Sequence, residues 1–281
     1  MIASDVVYLQ AESVDEAVTA WHEYAESGRA VRYFSGGTEI VTGARHRDDV
    51  DVLIDVKRIP ELTRVPGGGA GPLTDTLFVG AAARLSDLAD QEAVPLLAAA
   101  ARGVADRTAR NSITFGGNLC SVLPYRETAL PLLLFDATLV LASLDGLRGV
   151  PARECFRRRL QLRPGELVVG AELPAVARET GYSARRTRDP RVDYPLVTLC
   201  MACLGGSVRF AVAGAYGYPV RSLEAEQVLA AAAREEPRAR AERAVAAIED
   251  RLWDDFRGSA AYRRELLLLV LAEGLSRLED A

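Results

Sequence analysis

Two short runs of this chain carry the residue types needed to hold an anion: Ser35-Gly36-Gly37-Thr38 and, much further along, Thr114-Phe115-Gly116-Gly117-Asn118. A glycine pair lets backbone amides turn toward a ligand with no Cβ in the way. Successive N–H groups then form a concavity suited to a pyrophosphate. A helix opening at Thr38 would add its free N–H groups and dipole to the attraction. Either run alone also reads as an ordinary turn, and it is the pairing, each run leaving a strand or coil for a helix, that favours a ligand. Glu39 and Glu127 each lie just beyond one loop. There a carboxylate either accepts hydrogen bonds from the ribose or base of a nucleotide or stays a solvated surface acid.

The remaining chemistry-bearing residues argue against several activities. Cys200 and Cys203 have the CxxC spacing of half a metal or redox site, but no second pair and no nearby His completes it. The surrounding VTLCMACL reads instead as a buried strand in which cysteine acts as a small hydrophobe. His22 and His46 are the only histidines, and neither neighbours a nucleophile, so a serine or cysteine hydrolase has no support. The PGGGAGP run at 66–72 precedes a strand rather than following one, so it reads as a loop and not as a dinucleotide fingerprint. Arg185, Arg186, Arg188 and Arg191 face phosphate, a partner or, as charge runs usually do, water. The single lysine, Lys57, reads as composition bias rather than mechanism.

The elements that must position the loops follow from periodicity and punctuation. Ser13 with Glu16 three residues on has the capping-box pattern, and Val14, Val18, Trp21 and Ala25 fall at helical spacing up to Gly28. Val31 to Phe34 and Asp51 to Val56 read as strands on either side of the first loop. Leu77 to Gly80 is a further strand, followed by helices from Leu85 to Gln91 and from Val94 to about Ala105. Beyond the second loop, Leu130 to Phe135 reads as a helix, and Ala137 to Ala142 and Glu166 to Leu173 as strands. The Arg-rich segment from Arg178 to Arg191 reads as a boundary. Leu196 to Leu204 and Ser207 to Ala213, joined by Gly205-Gly206, predict a β-hairpin, and the chain from Leu223 onward is helical.

Composition closes off whole classes. At 281 residues with 49% hydrophobic content, ordinary cores suffice, because a chain near this size buries about three quarters of its unfolded surface. A net charge of −5 without a basic block gives no footprint for nucleic acid or an anionic membrane. Four cysteines in this length do not make a disulfide scaffold. With no apolar run near the ~20 residues of a bilayer span and no leader-like N-terminus, the expected location is cytoplasmic.

Ser35-Gly36-Gly37-Thr38-Glu39-Ile40, Val79-Gly80-Ala81-Ala82 and Thr114-Phe115-Gly116-Gly117-Asn118-Leu119, in that order, resemble the FAD-binding (medium) subunit of molybdenum hydroxylases. That family includes the carbon monoxide dehydrogenase flavoprotein and the xanthine dehydrogenase FAD domain. YPLVTLC, GAYGYPVR and AYRRELLLLVL are similar to its C-terminal flavoprotein region. The resemblance implies an α+β fold: a two-lobed, PCMH-like FAD-binding domain at 1–177, with lobes of about 1–60 and 61–177. A smaller α+β domain at 178–281 would follow, with a three-stranded antiparallel sheet and helices.

The resemblance also implies site residues. Tyr33, Phe34, Ser35, Gly36, Gly37, Thr38, Glu39 and Ile40, with Thr114, Phe115, Gly116, Gly117 and Asn118, would hold the FAD pyrophosphate and ribose. Glu127 matches an acid that contacts the adenosine half, and Val104, Val168 and Arg185 match further flavin contacts. Glu39 and Glu127 stand where Asp is commoner, and Arg45 where a Lys is usual. The implied partners are a molybdopterin-binding large subunit and a 2Fe–2S small subunit, with electrons leaving to NAD, oxygen or another acceptor. No side chain is assigned as acid, base or nucleophile. Since the cysteines lack cluster-binding spacing, the iron–sulfur relay must sit on a partner. The other readings are a stand-alone flavin oxidoreductase and a flavin-lacking scaffold of the same complex.

Overall fold

The computed structural model describes residues 5–43, 50–67, 71–73, 76–157, 159–189 and 193–280. Arg45, His46, Arg191 and the 68–70 stretch of PGGGAGP lie outside them. The first lobe contains β1 (Val7–Gln10), α1 (Val14–Glu26), β2 (Val31–Phe34), α2 (Thr38–Gly43) and β3 (Val52–Asp55). Ser13 caps α1, its Oγ accepting from the Glu16 amide at 3.1 Å. Glu16 in turn accepts from the Glu12 amide at 2.8 Å, one residue earlier than the capping-box pattern predicts. The three strands form a parallel sheet in the order β1-β3-β2. The apolar–acidic alternation of DVLIDV does not translate into alternating exposure. All four residues of β3 are buried, because a central parallel strand is covered on both faces.

The second lobe runs through β4 (Leu77–Gly80), α3 (Leu85–Asp90), α4 (Pro95–Arg102), α5 (Arg107–Arg110), α6 (Phe115–Cys120) and α7 (Ala129–Leu134). It continues with β5 (Thr138–Ser143), β6 (Gly146–Pro151), α8 (Ala152–Cys155), the two-stranded ribbon β7 (Phe156–Arg157) and β8 (Arg159–Leu160), and β9 (Leu167–Leu173). Its antiparallel sheet has the order β4-β9-β5-β6. Every residue of β9 is buried. Helix α1 packs on β5 and β9 as well as on its own sheet, so one helix joins both lobes.

Then come β10 (Tyr182–Thr187), β11 (Pro195–Leu204), β12 (Ser207–Ala213), α9 (Leu223–Ala231), α10 (Pro237–Ala246) and α11 (Ala260–Glu279). The hairpin turn has both glycines at left-handed φ, 56° at Gly205 and 77° at Gly206, as a type I′ connection requires. The Arg-rich boundary segment departs from expectation: it contains β10, which pairs antiparallel with β11 from Tyr182 to Thr187. Its arginines masked a strand because an edge strand needs only one apolar face.

This third sheet is a shared layer. Cys200, Ala202, Leu204, Ala211 and Ala213 belong to the core of the N-terminal lobes. Val197, Leu199, Met201, Phe210 and Val212 belong to a second core under α9, α10 and α11. Small side chains on the first face let α7 lie close against β11 and β12. Each large one on the other face is worth about 1.5–3 kcal/mol of burial. The strand also disposes of the CxxC motif. Residues three apart on a strand face opposite sides, so Cys200 is buried while Cys203 is exposed, correcting the expectation that both pack in a core. Among the described residues no group of His, Cys, Asp or Glu is arranged to hold a metal ion. No described helix is long and apolar enough to cross a membrane.

Candidate functional site

The first glycine loop leaves β2 and enters α2; the second leaves an extended segment and enters α6, and the fold brings the two into contact. A Cβ built on Gly36 would lie 2.0 Å from the Ser112 carbonyl oxygen and 3.3 Å from the Thr114 amide nitrogen. Only glycine permits that approach. Gly37 has φ +68°, and its Cβ position is taken by the Phe34 ring at 2.4 Å. In the second loop Gly116 is the packing glycine: its amide donates to the Ala81 carbonyl at 2.7 Å, and a Cβ would sit 2.7 Å from the Ala81 methyl. At Gly117 the added Cβ would meet only Thr114 Oγ1, at 3.0 Å, which leaves its other side open. Thr114 caps α6, its Oγ1 accepting from the Gly117 amide at 3.3 Å.

Glu39 clasps the two loops. One carboxylate oxygen accepts from the Ser121 hydroxyl and the other from the Val122 amide at 3.1 Å. Thr38 is exposed and Ile40 half-buried beside it. Tyr33 reaches away from the loop, donating its hydroxyl to the Gly165 carbonyl at 2.7 Å in the turn that precedes Val168 on β9, and burial pushes its phenol well up. Val168 is itself buried beside a bulge where β9 pairs with β5. Phe115 is fully buried in the core under α6.

Beyond the second loop a polar strip continues. Asn118 Oδ1 accepts from the Thr128 amide at 3.2 Å and hydroxyl at 2.6 Å. Asn118 also hydrogen-bonds the buried carboxyl of Glu127, whose pKa burial pushes up, against the pull of its own backbone N–H and the Arg185 charge. The Arg185 guanidinium is pulled down by burial and held up by Glu127 and Asp193. It donates to the Asp193 carbonyl. Its Cδ lies 3.3 Å from where a Cβ on Gly103 would stand, one residue before Val104. Of the arginine run, Arg188 is exposed, while Arg185 and Arg186 are half-buried, and Arg186 pairs with Glu273 at 2.5 Å. The structure thus links many of the expected residues into one strip: first loop, second loop, Asn118, Glu127 and Arg185, with Val104 one residue beyond the Gly103 that Arg185 approaches. Sequence reasoning missed Ser112, Ser121 and Thr128, which join its parts through a carbonyl, a hydroxyl and an amide. No residue type or spacing marks such contacts in advance.

The strip fits a dinucleotide on one direct observation. Ser35 Oγ is buried and has no hydrogen-bond partner among the described residues. A buried hydroxyl left unsatisfied costs free energy until a ligand supplies the bond. It lies next to Gly36, in the loop whose glycines bare the backbone.

Comparison with known proteins agrees with this geometry. The family described as FAD binding domain in molybdopterin dehydrogenase matches residues 3–176. The glyceraldehyde dehydrogenase medium chain of Sulfolobus acidocaldarius is 26% identical, over 96% of this chain and 97% of that one. The nicotine 6-hydroxylase medium subunit of Paenarthrobacter nicotinovorans is 31% identical, over 77% of this chain and 78% of its own. In fold, a chain of the reconstituted CO dehydrogenase from Oligotropha carboxidovorans superposes with a TM-score of 0.85 at 22% identity, covering 100% of this chain and 99% of that one. The α+β architecture with its three-stranded antiparallel C-terminal sheet is therefore that of these neighbours. With more than half of its length matched, the chain belongs to the FAD-binding domain family of molybdopterin dehydrogenases.

Proposed function

We propose that this chain is the flavin-carrying electron-transfer subunit of a molybdenum hydroxylase assembly, divided into an FAD-binding domain at 1–177 and a C-terminal domain at 178–281. The observation that carries the reading is the junction of the two glycine loops at Gly36 and Ser112 beside the unsatisfied Ser35 hydroxyl. Tyr33 to Ile40 and Thr114 to Asn118 would hold the pyrophosphate and ribose, Glu127 the adenosine half, and Val104, Val168 and Arg185 further parts of FAD. When bound, FAD supplies the redox chemistry by which electrons from a 2Fe–2S small subunit pass to NAD, oxygen or another acceptor, substrate being oxidised on a molybdopterin-binding large subunit.

The chain's own residues bind and orient. Glu39, through Ser121 and Val122, fixes the spacing of the two loops. Asn118 and Arg185 offset the cost of burying Glu127 and keep its carboxyl in place. Medium chains and subunits of dehydrogenase complexes among the relatives support the assignment to an assembly. The test is purification of the full chain with whatever it binds. The expected result is a flavin absorbance spectrum, FAD released on denaturation, and two co-purifying polypeptides, one carrying molybdopterin. Protein without flavin that takes up no added FAD would sink the reading, and turnover of a small organic substrate by the chain alone would sink the subunit role.

A further inference from the structure

Lys57 is the only lysine of the chain, in a sequence whose other cationic side chains are nearly all arginine. The structure sets it against the first glycine loop. Its ammonium lies 2.8 Å from Asp55 Oδ2, donates to the Ser35 carbonyl at 3.4 Å and stands 4.4 Å over the centre of the Phe34 ring. Each contact reaches something that fixes the loop. The Ser35 carbonyl belongs to the peptide that leads into Gly36. The Phe34 ring fills the space beside Gly37 that any Cβ would need. Asp55 is 1% exposed at the end of the central strand β3, and its carboxylate also takes the Tyr8 hydroxyl and the Lys57 amide at 2.9 Å. The ammonium therefore stands between the fully buried central strand of the first lobe and its first glycine loop. All three contacts depend on the positive charge: an ion pair, a charge-assisted hydrogen bond and a cation–π contact. A compact ammonium satisfies a carboxylate, a carbonyl and a ring face at once, where a planar guanidinium fork presents its donors in one plane.

We propose that Lys57 is a positioning residue for the dinucleotide: its charge holds the Ser35 carbonyl and the Phe34 ring so that the Ser35 hydroxyl and the glycine amides stay open to the pyrophosphate. This rests on the flavin reading above and adds the residue that keeps the loop in its binding shape. The side chain is 42% exposed, so the amine is reachable by reagents in the folded protein.

The test uses the full chain in the assembly with which it purifies, stripped of flavin and titrated with FAD. Lys57→Met is expected to raise the FAD dissociation constant about tenfold and Lys57→Arg by less, titrated well below the melting temperature of each flavin-free variant because Lys57→Met leaves the buried Asp55 carboxylate without its ion pair. Acetylation of the folded wild-type protein with acetic anhydride neutralises this one side-chain amine and is expected to match Lys57→Met. The same treatment of Lys57→Arg controls for the N-terminus and other groups, and is expected to leave affinity unchanged. FAD affinity of Lys57→Met within about twofold of wild type overturns the proposal. So does acetylated wild type that binds as tightly as untreated protein, and this arm decides the matter if Lys57→Met does not fold. Wild-type protein that binds no FAD overturns the flavin reading, and this inference with it. Wild-type binding with no lysine effect overturns the inference alone.

Discussion

At the first glycine loop position is set by side chains: Lys57 on the Ser35 carbonyl, the Phe34 ring under Gly37, and Glu39 reaching to Ser121 and Val122. At the second it is set by the backbone. The amides of Phe115 and Gly116 donate to Ala83 and Ala81 at 2.8 and 2.7 Å, and the Leu85 amide to Ile113 at 2.9 Å. Two runs with nearly the same letters are thus built differently. A loop pinned by peptide groups is a platform whose shape does not depend on neighbouring side-chain charge. A loop pinned by an ammonium and a carboxylate can be loosened by changing either. The two meet at one glycine, so the platform transmits its rigidity to the adjustable loop through Gly36.

The largest expected effect breaks that meeting point. Gly36→Val would put a Cβ 2.0 Å from a backbone oxygen, which cannot turn aside as a flexible side chain can. We expect roughly 1–3 kcal/mol or more of destabilisation by overpacking, read by thermal or chemical denaturation, and loss of FAD binding by titration. Gly117→Ala sharpens the contrast. Its Cβ meets only Thr114 Oγ1, and alanine favours the helix by up to about 1 kcal/mol, so stability holds while FAD binding weakens. FAD binding that survives Gly36→Val intact would show that the loop junction is not the site. Next in size is Thr114→Ala, which removes the α6 cap and is expected to cost about 1 kcal/mol in the same denaturation assay, with stability rather than affinity the first to change.

The adjustable loop was the more legible of the two in sequence, because strand, glycine pair and helix follow one another as a local pattern. β2, β4, β9, α1 and the β11–β12 hairpin were readable from alternation, capping and turn residues alone. β1, β6 and β10 were not: they are edge strands with half-exposed or charged faces, and their pairing partners supply what their own residues lack. At the site the paired glycine loops stood out by type and order, whereas Glu127 read equally as a nucleotide contact or a solvated acid. Ser112 did not, since its part is played by a carbonyl that every residue possesses. Lys57 was visible only as an oddity of composition, and its meaning appeared once β3 placed it beside Ser35. The alternating face of β11 likewise decided the fate of Cys200 and Cys203, because a spacing that suggests chelation in a loop prevents it on a strand.

The smallest effect, confined to pH, separates the two regions by sign. At the first loop burial alone would push the Asp55 carboxyl up, but hydrogen bonds from Lys57 and Tyr8 outweigh it and hold the group below the usual carboxylate range. Its stabilisation is therefore complete above the unfolded value of about 4 and is lost as pH falls through the lower folded value. At the second, burial pushes Glu127 up by more than its own backbone N–H, Arg185 and Asn118 recover. Its contribution is complete below the unfolded value of about 4.3 and is lost as pH rises through the raised folded value. Denaturation profiles from about pH 3 to 8 should show Asp55→Asn flattening the acid limb and Glu127→Gln the limb above it. Hydrogen exchange places each change: acid should release the Lys57 amide, bonded to the Asp55 carboxylate at 2.9 Å, before that of Gly116, which is bonded to Ala81 and not to any titrating group. If both variants flatten the same limb, the two loops share one electrostatic anchor and the contrast between a charge-held and a backbone-held loop fails.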